Sequence, residues 1–128
     1  MPNEVVLDAS AVLALLKREA GAERVRAVLD RATIGAVNAA EVQGKLVDLG
    51  LSRQAAEARI RVLGCRILAF SEEQAIEAGS LIVQTRSLGL SLGDRACLAL
   101  AIDRRAAAYT TDKTWKNLAL GIPIEVIR

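Results

Sequence analysis

The 128-residue chain has 52% apolar and 25% charged residues, which excludes wholesale disorder and suits a single globular domain over residues 1–128. Its 17 basic and 15 acidic residues leave a formal charge of +2, far below that of proteins that coat nucleic acid by bulk attraction. Histidine is absent, which excludes His general bases, Ser-His-Asp and Cys-His nucleophile systems and His-ligated zinc. Any hydrolytic chemistry must therefore use carboxylates, hydroxyls, lysine or a hard metal ion.

The start of the chain and its cysteines are typical of a protein that is not exported. The first residues lack the basic region and long apolar stretch of a signal peptide, and no window approaches the ~18 apolar residues needed to cross a bilayer. Cys65 and Cys97 lie inside apolar runs, which predicts buried free thiols in a reducing compartment. We therefore expect a soluble cytoplasmic protein.

Short apolar runs alternate with stretches of helical periodicity along the chain. The apolar runs predict five strands, at residues 4–7, 33–37, 65–70, 106–110 and 124–127. Asn38 is predicted to cap the helix after the second strand. Because strands alternate with helices, we expect an α/β fold with a parallel sheet that is covered on both faces.

Two helices in the second half of the chain have clear predicted starts. Ser71 precedes a long helix whose predicted inner face is formed by Ile76, Gly79, Ile82 and Val83. Gly93 and Asp94 begin the next helix.

Four carboxylates lie at or near predicted strand ends. Asp8 ends the first strand, and Asp112 follows the fourth. Glu41 lies one turn into the helix after the second strand, and Asp94 opens a helix. In parallel α/β sheets, ligands bind beyond the carboxyl ends of the strands. We therefore expect the four carboxylates to meet at one edge of the sheet.

Each carboxylate also has a purely structural interpretation. Asp8 could cap the first helix, and Asp94 could be an ordinary acid of a helix start. Glu41 could form an ion pair with Lys45 on a solvated helix face, and Asp112 is a common turn residue. Their joint placement favours a shared site, and so does the position of Asp8 at the end of an apolar run, where a charge needs a partner.

A pocket with four carboxylates would be strongly self-repelling unless a cation joined them. Oxygen ligands without histidine or cysteine select Mg²⁺ or Mn²⁺. Such an ion polarises a phosphoryl oxygen and activates water. The residues therefore predict metal-dependent phosphoryl chemistry and leave the substrate open.

Four short motifs occur in order along nearly the whole chain: Asp8-Ala9-Ser10, Asn38-Ala39-Ala40-Glu41, Gly93-Asp94 and Thr110-Thr111-Asp112. In their order and spacing they resemble the PIN-domain family, specifically the small VapC-like toxin ribonucleases of type II toxin–antitoxin pairs. The resemblance implies a PIN-like, Rossmann-like parallel sheet of about five strands and an acidic Mg²⁺ or Mn²⁺ site. It also implies cleavage of RNA, a cognate antitoxin protein and usually a homodimer.

The resemblance assigns roles residue by residue. It implies that the metal-binding and catalytic carboxylates are Asp8, Glu41, Asp94 and Asp112. It implies that the polar groups which orient them or the hydrated metal are Ser10, Asn38 and Thr110. Because histidine is absent, the nucleophile would be a metal-activated water, with a carboxylate as proton acceptor.

Three further residues near these motifs have open roles. Arg95 and Lys113 directly follow metal-site candidates, so they are our candidates for contacts with RNA phosphates. The segment from Lys113 to Trp115 departs mildly from the family's usual ending of Asp followed by an aromatic residue. Trp115 could stack on a base or close the core beside the last strand.

Three other functions stay open. An aspartyl phosphatase would need a second Asp two positions after Asp8, where this chain has Ser10. A phospho-receiver domain would need an Asp that ends a middle strand, but Phe70 is followed by Ser71. A non-catalytic nuclease-like fold kept for binding is the third possibility, and the intact set of four carboxylates argues against it.

Overall fold

The computed structural model describes residues 3–128. Five parallel strands form one sheet in the order β3-β2-β1-β4-β5. The strands are β1 (Val5–Leu7), β2 (Ala32–Gly35), β3 (Arg66–Leu68), β4 (Ala107–Thr110) and β5 (Ile124–Val126). All five predicted strands are therefore present, and the predicted α/β class with a parallel sheet is confirmed.

Seven α-helices connect the strands of residues 3–128. They are α1 (Ala9–Leu16), α2 (Ala22–Arg26), α3 (Ala36–Asp48), α4 (Arg53–Arg61), α5 (Glu72–Ser80), α6 (Ile82–Thr85) and α7 (Leu92–Arg104). Short 3₁₀ helices lie at Leu29–Arg31, Arg86–Leu88 and Lys113–Asn117. None of the helices in this part of the chain has the length and apolar character needed to cross a membrane.

Alternation along β1 divides the core into two layers. Val5 and Leu7 face the layer formed with α1 to α4, whereas Val6 faces the layer formed with α7. All three side chains are at most 2% exposed, as expected for a central parallel strand covered on both faces. Trp115 is wholly buried in the second layer, so it closes the core and cannot stack on a base.

The predicted inner face of the helix after β3 is wrong. The helix ends at Ser80, and a short α6 continues after it. Ile76 and Val83, expected to be inward, are 68% and 75% exposed. The face packed against α7 carries Gln74 and Ala78. The Gln74 amide donates to Asp103 on α7, and Ala78 on the same face is wholly buried.

Two smaller predictions also need correction. Asn38 does not cap α3, because the helix begins at Ala36 and Gly35 occupies the cap position. Asn38 is instead a buried residue of the first turn, with its amide directed toward α7. Both cysteines are free as predicted, and Cys97 is buried, but Cys65 is only half-buried because it precedes the edge strand β3.

Candidate metal centre

Asp8 lies at the carboxyl end of the central strand β1, where it is the N-cap of α1. It is only 4% exposed. Its Oδ1 accepts hydrogen bonds from the Ser10 hydroxyl at 2.7 Å and from the Ala11 amide at 2.8 Å. Its Oδ2 accepts from the Thr110 hydroxyl at 2.5 Å. Both carboxylate oxygens are therefore fixed by neighbouring donors, and the capping role considered above coexists with a place in the site.

Burial dominates the electrostatics of Asp8. Desolvation raises the pKa of Asp8 from 3.8 to about 6, and the hydrogen bonds from Thr110, Ser10 and Ala11 only partly oppose it. The charge of Asp94 raises this pKa further. No basic side chain contributes, so the ionised carboxylate is stabilised only by neutral donors.

A polar chain links Asp8 to the end of β4. The Ser10 hydroxyl lies 3.4 Å from the Thr110 hydroxyl and accepts from the Thr111 amide at 2.9 Å. The Asp112 amide donates to Thr110 Oγ1 at 3.0 Å. The Asp112 carboxylate itself accepts hydrogen bonds from the Thr114 amide and hydroxyl, so it caps the start of the following 3₁₀ helix. Ser10 and Thr110 thus connect the loop of Asp112 to the Asp8 carboxylate.

Glu41 is held at the junction of α3 and α7. Asn38 Nδ2 donates to Glu41 Oε1 at 2.8 Å and to the Gly93 carbonyl at 3.1 Å. A Cβ on Gly93 would clash with Glu41 Oε2, so only glycine at 93 allows this carboxylate to rest on the α7 backbone. The salt bridges among the described residues do not include the Glu41–Lys45 pair considered from the sequence.

Asp94 lies in the first turn of α7. Its Oδ2 accepts from the Ser91 amide at 2.9 Å, and the Ser91 hydroxyl accepts from the Asp94 amide at 3.2 Å, which forms a capping box. This contact is the helix-start interpretation considered above. It fixes the carboxylate through one oxygen at the edge of the sheet where Asp8 lies, because α7 also starts there.

Three of the four candidate carboxylates influence one buried thiol through their charges. Cys97 is fully buried, and burial raises its pKa well above the usual value. Asp8, Asp94 and Glu41 raise the pKa of this thiol further through their charges. Asp112 does not contribute to the pKa of this thiol, and its loop is attached to Asp8 through Thr110.

The two basic candidates are placed differently. Arg95 is partly buried, and its Nη1 donates to the Ala78 carbonyl of α5 at 2.9 Å, so this side chain ties α7 to α5. Lys113 is exposed beside Asp112. Of the two, Lys113 is the one whose charge is free to reach a phosphate.

Sequence reasoning missed two residues that shape the site. Gly93 was noted as part of a helix start and of a family motif but given no role, although glycine in a first helical turn is a poor helix former and its presence there signals close packing. The position of Cys97 among carboxylates had no sequence signal, because a cysteine in an apolar run reads as an ordinary core residue.

The donor chemistry of this site fits a hard divalent cation. All polar side chains that converge here offer oxygen, and Asn38 Oδ1 is a buried acceptor with no partner among residues 3–128. Within this part of the chain, no three acidic or cysteine side chains are close enough together to hold one ion. Among residues 3–128, the site is therefore a set of oxygen donors near Asp8 and Asp94 that do not form a complete coordination shell.

Solved structures of low sequence identity share this fold. A toxin–antitoxin complex from Klebsiella pneumoniae is 19% identical with a TM-score of 0.72, over 93% of this chain and 95% of that one. VapBC2 from Rickettsia felis, bound to a DNA fragment from its promoter, is 18% identical with a TM-score of 0.71, over 94% and 96%. VapBC-5 from Mycobacterium tuberculosis is 22% identical with a TM-score of 0.64, over 99% of both chains.

The family assignment is independent of these structural similarities. No curated protein matches the chain. The model of the PIN domain matches residues 5–120, which include all four candidate carboxylates and every strand except β5. The chain belongs to the PIN-domain family.

Proposed function

We propose that this chain is a Mg²⁺- or Mn²⁺-dependent endoribonuclease, a hydrolase of RNA phosphodiester bonds and the toxin of a toxin–antitoxin pair. Membership of the PIN-domain family supports a nuclease. The printed names of its structural neighbours, VapBC and toxin–antitoxin complexes, support the toxin role.

The observation that carries the proposal is the buried, uncompensated carboxylate of Asp8. Burying an ionised carboxylate without a cationic partner is costly, and hydroxyl donors alone leave its pKa at about 6. The nearby charge of Asp94 increases that cost. A divalent cation bound by the two carboxylates would remove their repulsion. A structural cap alone does not need two carboxylates close together, so this arrangement favours a metal site.

Asp8 and Asp94 would be the main ligands of the ion, with help from Glu41 and Asp112. When bound, the ion supplies Lewis-acid polarisation of a phosphoryl oxygen and activation of water. Ser10 and Thr110 hold the Asp8 carboxylate in one orientation through its two oxygens.

Other residues would prepare the site for substrate. Asn38 holds Glu41 against α7, where this exposed carboxylate can accept a proton from water. Lys113 would contact the RNA phosphate backbone. We further propose a cognate antitoxin and a homodimer, and the exposed side chains of Ile76 and Val83 supply apolar surface for such partners.

The proposal is tested with a labelled RNA pool incubated with purified protein in Mn²⁺ or in EDTA. We expect cutting in Mn²⁺, none in EDTA, and suppression when the cognate antitoxin is bound. The matched control is the Asp94→Asn variant prepared in the same way, because a contaminating nuclease would cut equally with both proteins. Cutting that persists in EDTA or in the variant would contradict the proposal.

A non-catalytic RNA-binding module is the second candidate. It is favoured by the absence, within residues 3–128, of three acidic or cysteine groups placed to share an ion, and by the use of Asp94 Oδ2 in a capping box. In that case the same RNA pool would be retained on the protein and left uncut in Mn²⁺. Retention without cutting would therefore select this candidate over the nuclease.

A further inference from the structure

A second polar cleft lies at the opposite edge of the sheet, where the strands begin. Its volume is about 720 Å³, within the range of small-molecule sites. Four segments that lead into strands line it: the residues before β1, the end of the 3₁₀ helix before β2, the loop before β3 and the end of α7. The residues that matter here are Arg31, Arg66 and Arg104 on its walls, with Leu29 and Leu63 as apolar lining.

The cleft carries an excess of unpaired positive charge. Glu4 is the partner of Arg104, so these two lining charges cancel. Arg31 and Arg66 are exposed, and the side chain of neither makes a hydrogen bond or ion pair within residues 3–128. Asp30 is the one other carboxylate of the lining. Two free guanidinium groups therefore face one remaining carboxylate.

A smaller depression of about 160 Å³ continues the cleft and adds a third arginine that has no ion-pair partner among residues 3–128. The two share Asn3, Glu4 and Arg31, and the smaller one is also lined by Arg105. Glu125 in its lining is already paired with Arg24. Arg105 has no ion-pair partner among the described residues, so it extends the positive surface.

The backbone of Arg105 is in a conformation that favours glycine. Its φ of 52° places it in the left-handed region at the end of α7, which costs a non-glycine residue about 1 kcal/mol. The helix dipole favours a cation at this point, and the same arginine also lines the depression.

We propose that this cleft binds the phosphate of a nucleotide, either free or at the end of an RNA. Guanidinium groups bind phosphate oxygens in a bidentate manner; Arg31 and Arg66 supply two of them in the cleft, and Arg105 supplies a third in the adjoining depression. Leu29 and Leu63 offer apolar contact for the sugar or base. The site is separate from the carboxylates, which lie beyond the other ends of the same strands, and it does not depend on the proposed nuclease activity.

The test is a calorimetric titration of the full chain in EDTA. Without a divalent ion the carboxylate site repels anions, so binding under these conditions reports on the cleft. The probes are AMP, adenosine and a 5′-phosphorylated RNA hexamer. We expect AMP to bind with a Kd of about 0.1–1 mM and adenosine at least about tenfold more weakly. A hexamer that binds tighter than AMP identifies an RNA end as the source of the phosphate, and equal binding identifies a free nucleotide.

Three variants locate the site. Arg66→Gln and Arg105→Gly should each weaken AMP binding about tenfold, and the second keeps the left-handed backbone because glycine prefers it. Arg59→Gln removes the same charge from an exposed position on α4 outside the cleft and should leave binding unchanged. AMP binding weaker than about 10 mM, equal binding of adenosine, or equal loss in all three variants would overturn the proposal.

Discussion

The two edges of the sheet carry opposite charge and are built differently. At the carboxyl edge, Asp8 and Asp94 lie at the start of helices. At the amino edge, Arg104 and Arg105 lie at the end of α7. Helix dipoles favour this distribution, because anions are stabilised at helix starts and cations at helix ends. Charge sign alone is therefore no evidence of function at either edge.

Burial separates the two edges. Asp8 is almost completely buried and has no cationic partner, whereas Arg31 and Arg66 are exposed to water. A buried charge must be stabilised by something that binds it, but an exposed arginine is stable on its own. The carboxyl edge thus has the stronger requirement for a ligand, and the following experiments test that difference.

The largest expected effect is loss of RNA cleavage at the carboxyl edge. Asp8→Asn and Asp94→Asn each remove one charge and keep the shape of the side chain, so the fold should be retained. We expect cleavage in Mn²⁺ to fall at least about 100-fold in both variants, measured as initial rate on labelled RNA. Asp48→Asn, an exposed acid at the end of α3, is the matched control. If either site variant cleaved RNA as fast as this control, the substituted carboxylate would have no part in the mechanism.

The second effect is a gain in stability when Asp8 is neutralised in EDTA. The folded protein holds the Asp8 proton more tightly than the unfolded chain, because burial raises the pKa from 3.8 to about 6. Stability of the wild type should therefore fall as pH rises from about 4 to about 6 and stay lower above this range, by about 3 kcal/mol. The Asp8→Asn variant should not show this loss of stability, because its side chain does not ionise.

Urea unfolding of both proteins between pH 4 and pH 8 measures this difference. The free energies of unfolding should be similar near pH 4, and the variant should be more stable near pH 8. A wild type whose advantage over the variant grows with pH would show that the neutral donors already compensate the buried charge.

A smaller effect is expected from Gly93→Ala. The added methyl group would clash with Glu41 Oε2, so Glu41 must leave the position in which Asn38 holds it. We expect cleavage in Mn²⁺ to fall about tenfold with the fold retained, since Glu41 has open solvent on its other side. Gly44→Ala is the matched control, because its Cβ meets nothing within 4 Å and should add about 0.5–1 kcal/mol of helix stability without loss of cleavage. Equal rates in both variants would show that the position of Glu41 is unimportant.

The smallest effect concerns the exposed face of α5. Ile76→Gln should change the free energy of unfolding by no more than about 0.5 kcal/mol, because Ile76 is 68% exposed. Leu81→Ala, at a residue that is 2% exposed in the core, should cost about 2–5 kcal/mol. Thermal or urea unfolding compares the two variants. A large loss of stability in Ile76→Gln would show that Ile76 faces inward, as predicted from the sequence.

Helical periodicity predicts which elements form, but it did not identify the face of α5 that packs. Apolar spacing placed Ile76 and Val83 inside, whereas Gln74 and Ala78 are the residues that contact α7 through a side-chain bond and a backbone carbonyl. The partners in those bonds are Asp103 and Arg95 of α7. Their proximity to α5 depends on how the two helices pack in the folded protein, and no pattern in the neighbouring sequence indicates it.

The candidate site was more predictable than its details. The rule that ligands bind beyond the carboxyl ends of parallel strands correctly brought Asp8 and Asp94 to one edge. The sequence could not show that Asn38 reaches α7 or that Glu41 rests on Gly93, because both contacts join residues more than 50 positions apart. Such packing depends on the distance between two helices that only the folded sheet defines.

Binding of Mn²⁺ to the metal-free protein, followed by electron paramagnetic resonance or calorimetry, tests the central assignment most directly. If the Asp8 and Asp94 side chains share a divalent ion, Asp8→Asn and Asp94→Asn should each weaken Mn²⁺ binding about tenfold or more, while Asp48→Asn leaves it unchanged. Equal Mn²⁺ affinity in the wild type and the Asp94→Asn variant would contradict the assignment.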